Sequence, residues 1–206
     1  MFAYCGNSPV NAWDYNGHRA VFEFEDEQSS NTTLSYTNGP IRITETSDSI
    51  TINANLAFMD PTVSDMLIGG IKQYWEGTYV IDGKKKTVTV NIHHTVQEYI
   101  PVYTKNTSGR SYTTSNGTTK QPISVTVFLD YVGDDIKHSQ WAMAHEFGHC
   151  LMIGDYYVHV DAGEAGYNKF NRSIMNAWWN HAYRKDIEMA MVAARTQSWQ
   201  EWEANE

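Results

Sequence analysis

Residues 145–155 read His-Glu-Phe-Gly-His-Cys-Leu-Met-Ile-Gly-Asp, and no other stretch of the chain restricts its fold as tightly. Four residues along a helix turn the chain by about 400°, so His145 and His149 project from one face, with Glu146 beside them. Two imidazoles at this spacing can share a metal ion, which is the layout of a zinc-hydrolase site. The expectation is one catalytic Zn2+ on His145 and His149, with Glu146 as the catalytic base next to it. A catalytic zinc takes three protein donors and keeps one position open for water, so another ligand is needed. Asp155 is the nearest, but six further helical residues would turn it about 240° away from the metal, and the helix must therefore stop first. Gly154 offers the stop, because glycine accepts the left-handed conformation that commonly ends helices. The competing third ligands are Asp161, His159 and Glu164, all in the irregular stretch that follows.

The motif with Asp155, followed by Ser173-Ile174-Met175-Asn176, resembles the metzincin-type zinc metallopeptidases, in the branch whose third ligand is aspartate. That resemblance spans about residues 40–202, with its specific motifs at 145–155 and 173–176. It implies an α+β fold with a mixed twisted sheet, an active-site helix, a Met-turn and a C-terminal helix. It also implies peptide-bond hydrolysis by a metal-activated water, with Met175 as an apolar floor beneath the metal and not a ligand. Met152 stands where that family usually has its turn glycine, so the reversal is expected at Gly154. The same catalytic parts would serve a zinc amidase acting on cell-wall peptide. A non-catalytic, metal-stabilised binding domain is the third reading, against which Glu146 argues, since a structural site has no use for a carboxylate beside the metal.

With 41% hydrophobic residues in 206, the chain is long enough for one well-buried core. A net charge of −9, and no basic run longer than Lys84-Lys85-Lys86, argue against a nucleic-acid partner. That run reads as a solvated turn. No apolar stretch is long enough to span a membrane, and residues 1–20 lack a signal-peptide layout. Two cysteines are too few for a disulfide scaffold, and Cys150 reads as a small buried apolar residue.

The first seventeen residues carry turn signals at 6–9 and 16–17 around short apolar pieces. Through Tyr4, Gly6, Asn7, Pro9, Val10, Asn11, Asp14 and Gly17 they resemble the end of the core segment of Rhs/YD-repeat polymorphic toxins, although Tyr15 stands where that family usually has proline. The resemblance implies a tail of that core at 1–17, a zinc metallopeptidase toxin domain at 18–206, and export or delivery as part of a larger protein. A protein or peptide substrate and a cognate immunity protein are the partners it implies.

Strands are expected at 19–24, 41–44 and 49–58, then a helix over 62–74 that Gly69-Gly70 weakens. Residues 78–81 and 87–96 flank Asp82-Gly83 as a hairpin, and His93 and His94 on its second strand must point to opposite faces. The Thr/Ser/Asn-rich segment 103–121 reads as a long loop or a loose hairpin, and its length fits a substrate-binding rim and a disordered insertion with no role equally. It leads into a strand at 123–129. The site helix is expected from Lys137 through Met152 and a last helix from Trp179 to Trp202, with His181 structural and Tyr156 and Tyr157 as walls of the site.

Overall fold

The computed structural model describes residues 33–94, 98–129, 136–156, 172–176 and 180–202. The expected strand at 19–24, the segment 1–17, Cys5, Tyr157 and the competing donors His159, Asp161 and Glu164 lie outside them, as does any boundary at residue 17.

A mixed sheet and three helices make up the described fold. In chain order these are β1 (Leu34–Asn38), β2 (Ile41–Glu45), β3 (Ser49–Phe58), α1 (Pro61–Trp75), β4 (Gly77–Ile81), β5 (Lys84–His93), β6 (Ile100–Lys105), β7 (Tyr112–Ser115), β8 (Pro122–Phe128), α2 (Ile136–Cys150) and α3 (Arg184–Thr196). The sheet runs β1-β2-β3-β6-β8-β7, and β5 pairs with both β3 and β4. Ten-residue β3 is its spine. Alternate residues Ile50, Ile52, Ala54 and Leu56 are buried, as the two-residue period of a strand with one core face requires. β5 lies parallel to β3 up to the pair Asn55↔His93, and β6 takes over in parallel from Leu56↔Ile100. The β4–β5 hairpin turns at Asp82 and Gly83, both with positive φ (49° and 73°), which matches the twist of the flanking strands.

One expectation about the strands changes, and of the two readings of 103–121 the structure takes the hairpin. Lys84 and Lys85 are exposed, but Lys86 faces inward on β5 and donates to Glu45 Oε1 at 2.6 Å and to the Thr46 carbonyl at 2.8 Å. Strand alternation puts Lys86 on the face opposite Lys85, while Lys84 shares its face but sits at the turn end of the strand and stays exposed. Within 103–121, Tyr112–Ser115 forms β7, antiparallel to β8 with Tyr112 opposite Thr126. A strand at the end of a sheet needs only one paired side and few apolar residues, so its composition resembles a loop.

α1 starts where expected. Asp60 caps it by accepting from the Thr62 amide at 3.0 Å, with Pro61 in the first turn. Of the two glycines that weaken it on propensity, Gly70 is used for packing, whereas Gly69 has room for a side chain. A Cβ on Gly70 would fall 2.5 Å from the Gln140 carbonyl oxygen, so α1 and α2 cross closely there. Trp75 Nε1 then donates to the Ala144 carbonyl at 2.8 Å, tying the same two helices together.

α2 is buried from Trp141 through Gly148, in keeping with a helix packed on several sides. α3 is shorter than expected, because Gln197 takes a left-handed conformation (φ 53°) and ends it. The chain then runs extended, and Gln200 pairs in parallel with Ile153. Trp179 lies outside the described residues. Among those described, no helix is long and apolar enough to cross a membrane.

Candidate metal centre

His145 and His149 do project from one face of α2, with ring centroids 5.1 Å apart. His145, Glu146 and His149 offer ligand atoms within 4.8 Å of one another, a group that could hold a metal ion. His145 and Glu146 are deeply buried, with 6% and 3% of their surface exposed. Each histidine places Nδ1 on a backbone carbonyl, His145 on Ile174 at 2.9 Å and His149 on Ile153 at 2.8 Å. A carbonyl can only accept, so each Nδ1 carries the proton, and the lone pair of each neutral ring sits on Nε2. Metal-binding histidines are commonly fixed in this way by a partner on the second nitrogen.

Both Nε2 atoms face one carboxylate oxygen. Asp155 Oδ1 is 3.1 Å from His145 Nε2 and 3.2 Å from His149 Nε2. With both rings neutral at Nε2, buried Oδ1 has no hydrogen-bond donor among the described residues. Donor atoms around a tetrahedral ion at about 2.0–2.1 Å stand about 3.3 Å apart, close to these separations. An orphaned oxygen aimed with two lone-pair nitrogens at a common point fits a cation.

The turn that brings Asp155 there is not the one the sequence suggests. Met152, not Gly154, takes the left-handed conformation, with φ 64°. The Ile153 amide donates back to the Gly148 carbonyl at 3.1 Å and the Met152 amide to that of His149 at 2.9 Å, the paired bonds of a Schellman ending. Gly154 lies against the 199–201 segment, where a Cβ would have to push aside the exposed Glu201 side chain. Its amide donates to the Gln200 carbonyl at 2.8 Å and the Gln200 amide to that of Met152 at 2.9 Å, so residues 199–202 strap the turn down.

Met175 lies in the turn 174–176, fully buried beneath α2. Ser173 Oγ accepts from the Met175 amide at 2.8 Å and donates to buried Asp186 Oδ1 at 2.6 Å, while Asp186 Oδ2 accepts from the Tyr183 amide at 2.7 Å. The turn that receives His145 Nδ1 is thereby fastened to the start of α3. Gly148 makes room for it, because a Cβ at 148 would land on the Met175 sulfur. Gly148→Ala should therefore destabilise the fold by about 1–3 kcal/mol through overpacking. Helix propensity alone would have it stabilise by about 1 kcal/mol. The sign of the change in a urea melt decides between them.

Around these groups is a cleft of about 330 Å³, lined among others by Arg110, Tyr112, Thr113, Trp199 and Glu201. Trp141 stacks on His145 at 5.1 Å and Trp199 on His149 at 5.9 Å. Thr113 Oγ donates to Glu146 Oε2 at 2.9 Å. Tyr156 packs edge-on against Trp202 in the core, and His181 lies against Tyr74. His93 Nε2 donates to Asn53 Oδ1 at 3.2 Å, as an ordinary strand histidine. Cys150 is buried, which pushes its thiol pKa up and leaves it inert. Of the cleft residues, Thr113 sits in the segment whose length was compatible with a rim, whereas Trp199 and Glu201 fell inside an expected helix and carried no signal.

Burial opposes charge on His149, but its contact with Asp155 outweighs that and lifts its pKa to about 9. Burial likewise pushes Asp155 up, and the two histidines outweigh it, holding the carboxyl well below the usual range. The raised histidine stabilises the metal-free fold fully below its unfolded value of about 6.5 and ceases to as pH rises through about 9; the depressed aspartate contributes above about 4. A metal must displace that histidine proton. Metal affinity should then rise about tenfold per pH unit up to about pH 9 and level off. Calorimetry near pH 7.5 in buffers of different ionisation enthalpy should show about one proton released per metal; none released would mean His149 is already neutral.

No protein-family model matches the sequence, and no curated protein matches it either.

Proposed function

We propose that the chain is a zinc-dependent metallopeptidase of the metzincin type, acting as the toxin domain of an Rhs/YD-repeat polymorphic toxin. The observation that carries the reading is the convergence of His145 Nε2, His149 Nε2 and Asp155 Oδ1 in an open cleft with the Glu146 carboxylate beside them. Those three atoms would hold the ion. Bound zinc supplies a water acidified to near-neutral pKa and a Lewis acid for the scissile carbonyl. Glu146, adjacent but not needed as a ligand, takes the proton of the attacking water and returns it to the amide nitrogen as the C–N bond breaks. β7, last in the strand order, gives the cleft a backbone edge on which an extended peptide can lie.

The toxin assignment is supported by residues 1–17, whose pattern places such a domain behind an Rhs core, and it brings with it delivery within a longer protein and a cognate immunity protein. The test is to incubate a proteome with the zinc-loaded chain and, in parallel, with Glu146→Gln, and to map new N-termini. New termini produced only by the parent are expected. No new termini, with release of peptide from cell wall, would move the substrate class to the amidase alternative.

A further inference from the structure

We propose that Thr113 on β7 is the positioning residue for the Glu146 carboxylate, an inference that rests on the hydrolytic reading of the site. Thr113 Oγ lies 2.9 Å from Glu146 Oε2 and 3.2 Å from the Glu146 carbonyl oxygen. A hydroxyl has a single proton to donate; of the two Glu146 oxygens the carboxylate one is the nearer, and the buried Cys150 thiol also meets Thr113.

The geometry gives this bond consequence. The last torsion of a glutamate side chain is broad and two-fold, so an unrestrained carboxylate points its oxygens over a range of directions. Holding Oε2 fixes where Oε1 points. Glu146 is 3% exposed, so little water is at hand to replace a donor that is removed. Neighbouring Tyr112 and Thr114 are exposed while Thr113 is half-buried, so the strand's alternation turns Thr113 toward α2. β7 pairs with β8 antiparallel, and Tyr112, Thr113 and Ser115 all line the cleft. The strand that walls the cleft thus also sets the base, and a chain seated along it bears on the element that aims the proton acceptor.

Thr113→Val keeps the side-chain shape and removes the donor, whereas Thr113→Ser keeps the donor. In the zinc-loaded protein, Thr113→Val should lower kcat roughly tenfold, with KM and the metal dissociation constant within about twofold of the parent, and Thr113→Ser should restore most of kcat. Added to Glu146→Gln, Thr113→Val should cost nothing further, because the group it positions no longer accepts a proton. Unchanged kcat in Thr113→Val, or an equal loss in both variants, overturns the proposal. A readout independent of turnover comes from crystal structures of the metal-free parent and Thr113→Val. The Glu146 carboxylate should hold one orientation in the parent and rotate or spread in the variant. The same single orientation in both overturns the inference, whereas a parent that hydrolyses no amide removes the proposed function and leaves the crystallographic answer standing.

Discussion

Glu146→Gln should bind metal as tightly as the parent and hydrolyse amide substrates about a thousandfold more slowly. A positioned acid–base group contributes roughly 10²–10⁴ in rate. The glutamine amide has the shape of the carboxylate and can still accept from Thr113 Oγ through its carbonyl oxygen, so the local structure survives. It cannot take a proton from water at neutral pH. The metal should stay, since the three converging donor atoms belong to His145, His149 and Asp155. Initial rates on a quenched-fluorescence peptide library, with metal content measured on the same samples, check both halves. Full activity in the variant would remove Glu146 from the mechanism, and loss of metal would make it a ligand.

The second large effect is on metal affinity. Asp155→Ala should weaken zinc binding by roughly a hundred- to a thousandfold, the share of one ligand in the 10–16 kcal/mol of a four-ligand site. It also removes the carboxylate that lifts the His149 pKa most, which should move down toward its ordinary value, because burial is then opposed only by Glu146 and the Ile153 carbonyl. Competition with a chromophoric chelator measures the affinity. An unchanged constant would transfer the third position to another donor, with Asp161, His159 and Glu164 next to be substituted.

How far the sequence led can be traced residue by residue. The two histidines and Glu146 were legible because helical periodicity is local, and four residues suffice to define a face. Asp155 was legible in destination but not in route. The expectation gave the reversal to Gly154 because glycine carries no steric penalty there. The fold instead holds Met152 at φ 64°, with its side chain buried and Asn38 Nδ2 against its sulfur at 2.6 Å. Packing around a buried methionine outweighs a backbone preference of about 1 kcal/mol, and nothing in the local sequence announces it. β7 was hidden for a related reason, because an end strand has little apolar pattern to display. Gly70 and Gly148 misled or stayed silent because their purpose lies on Gln140 and Met175, 70 and 27 residues away in the chain. Such distances are beyond any windowed pattern.

The pairing of Gln200 with Ile153 sets an order in time. The motif histidines and Asp155 emerge during synthesis some forty-five residues before the segment that fastens their turn, and Trp199, which stacks on His149, comes just as late. Domains fold as their chains emerge, and a turn held by bonds to later residues stays unsecured until those residues arrive. A site wired this way is completed only after residues 199–202 have emerged, well after its own donor atoms are in place along the chain.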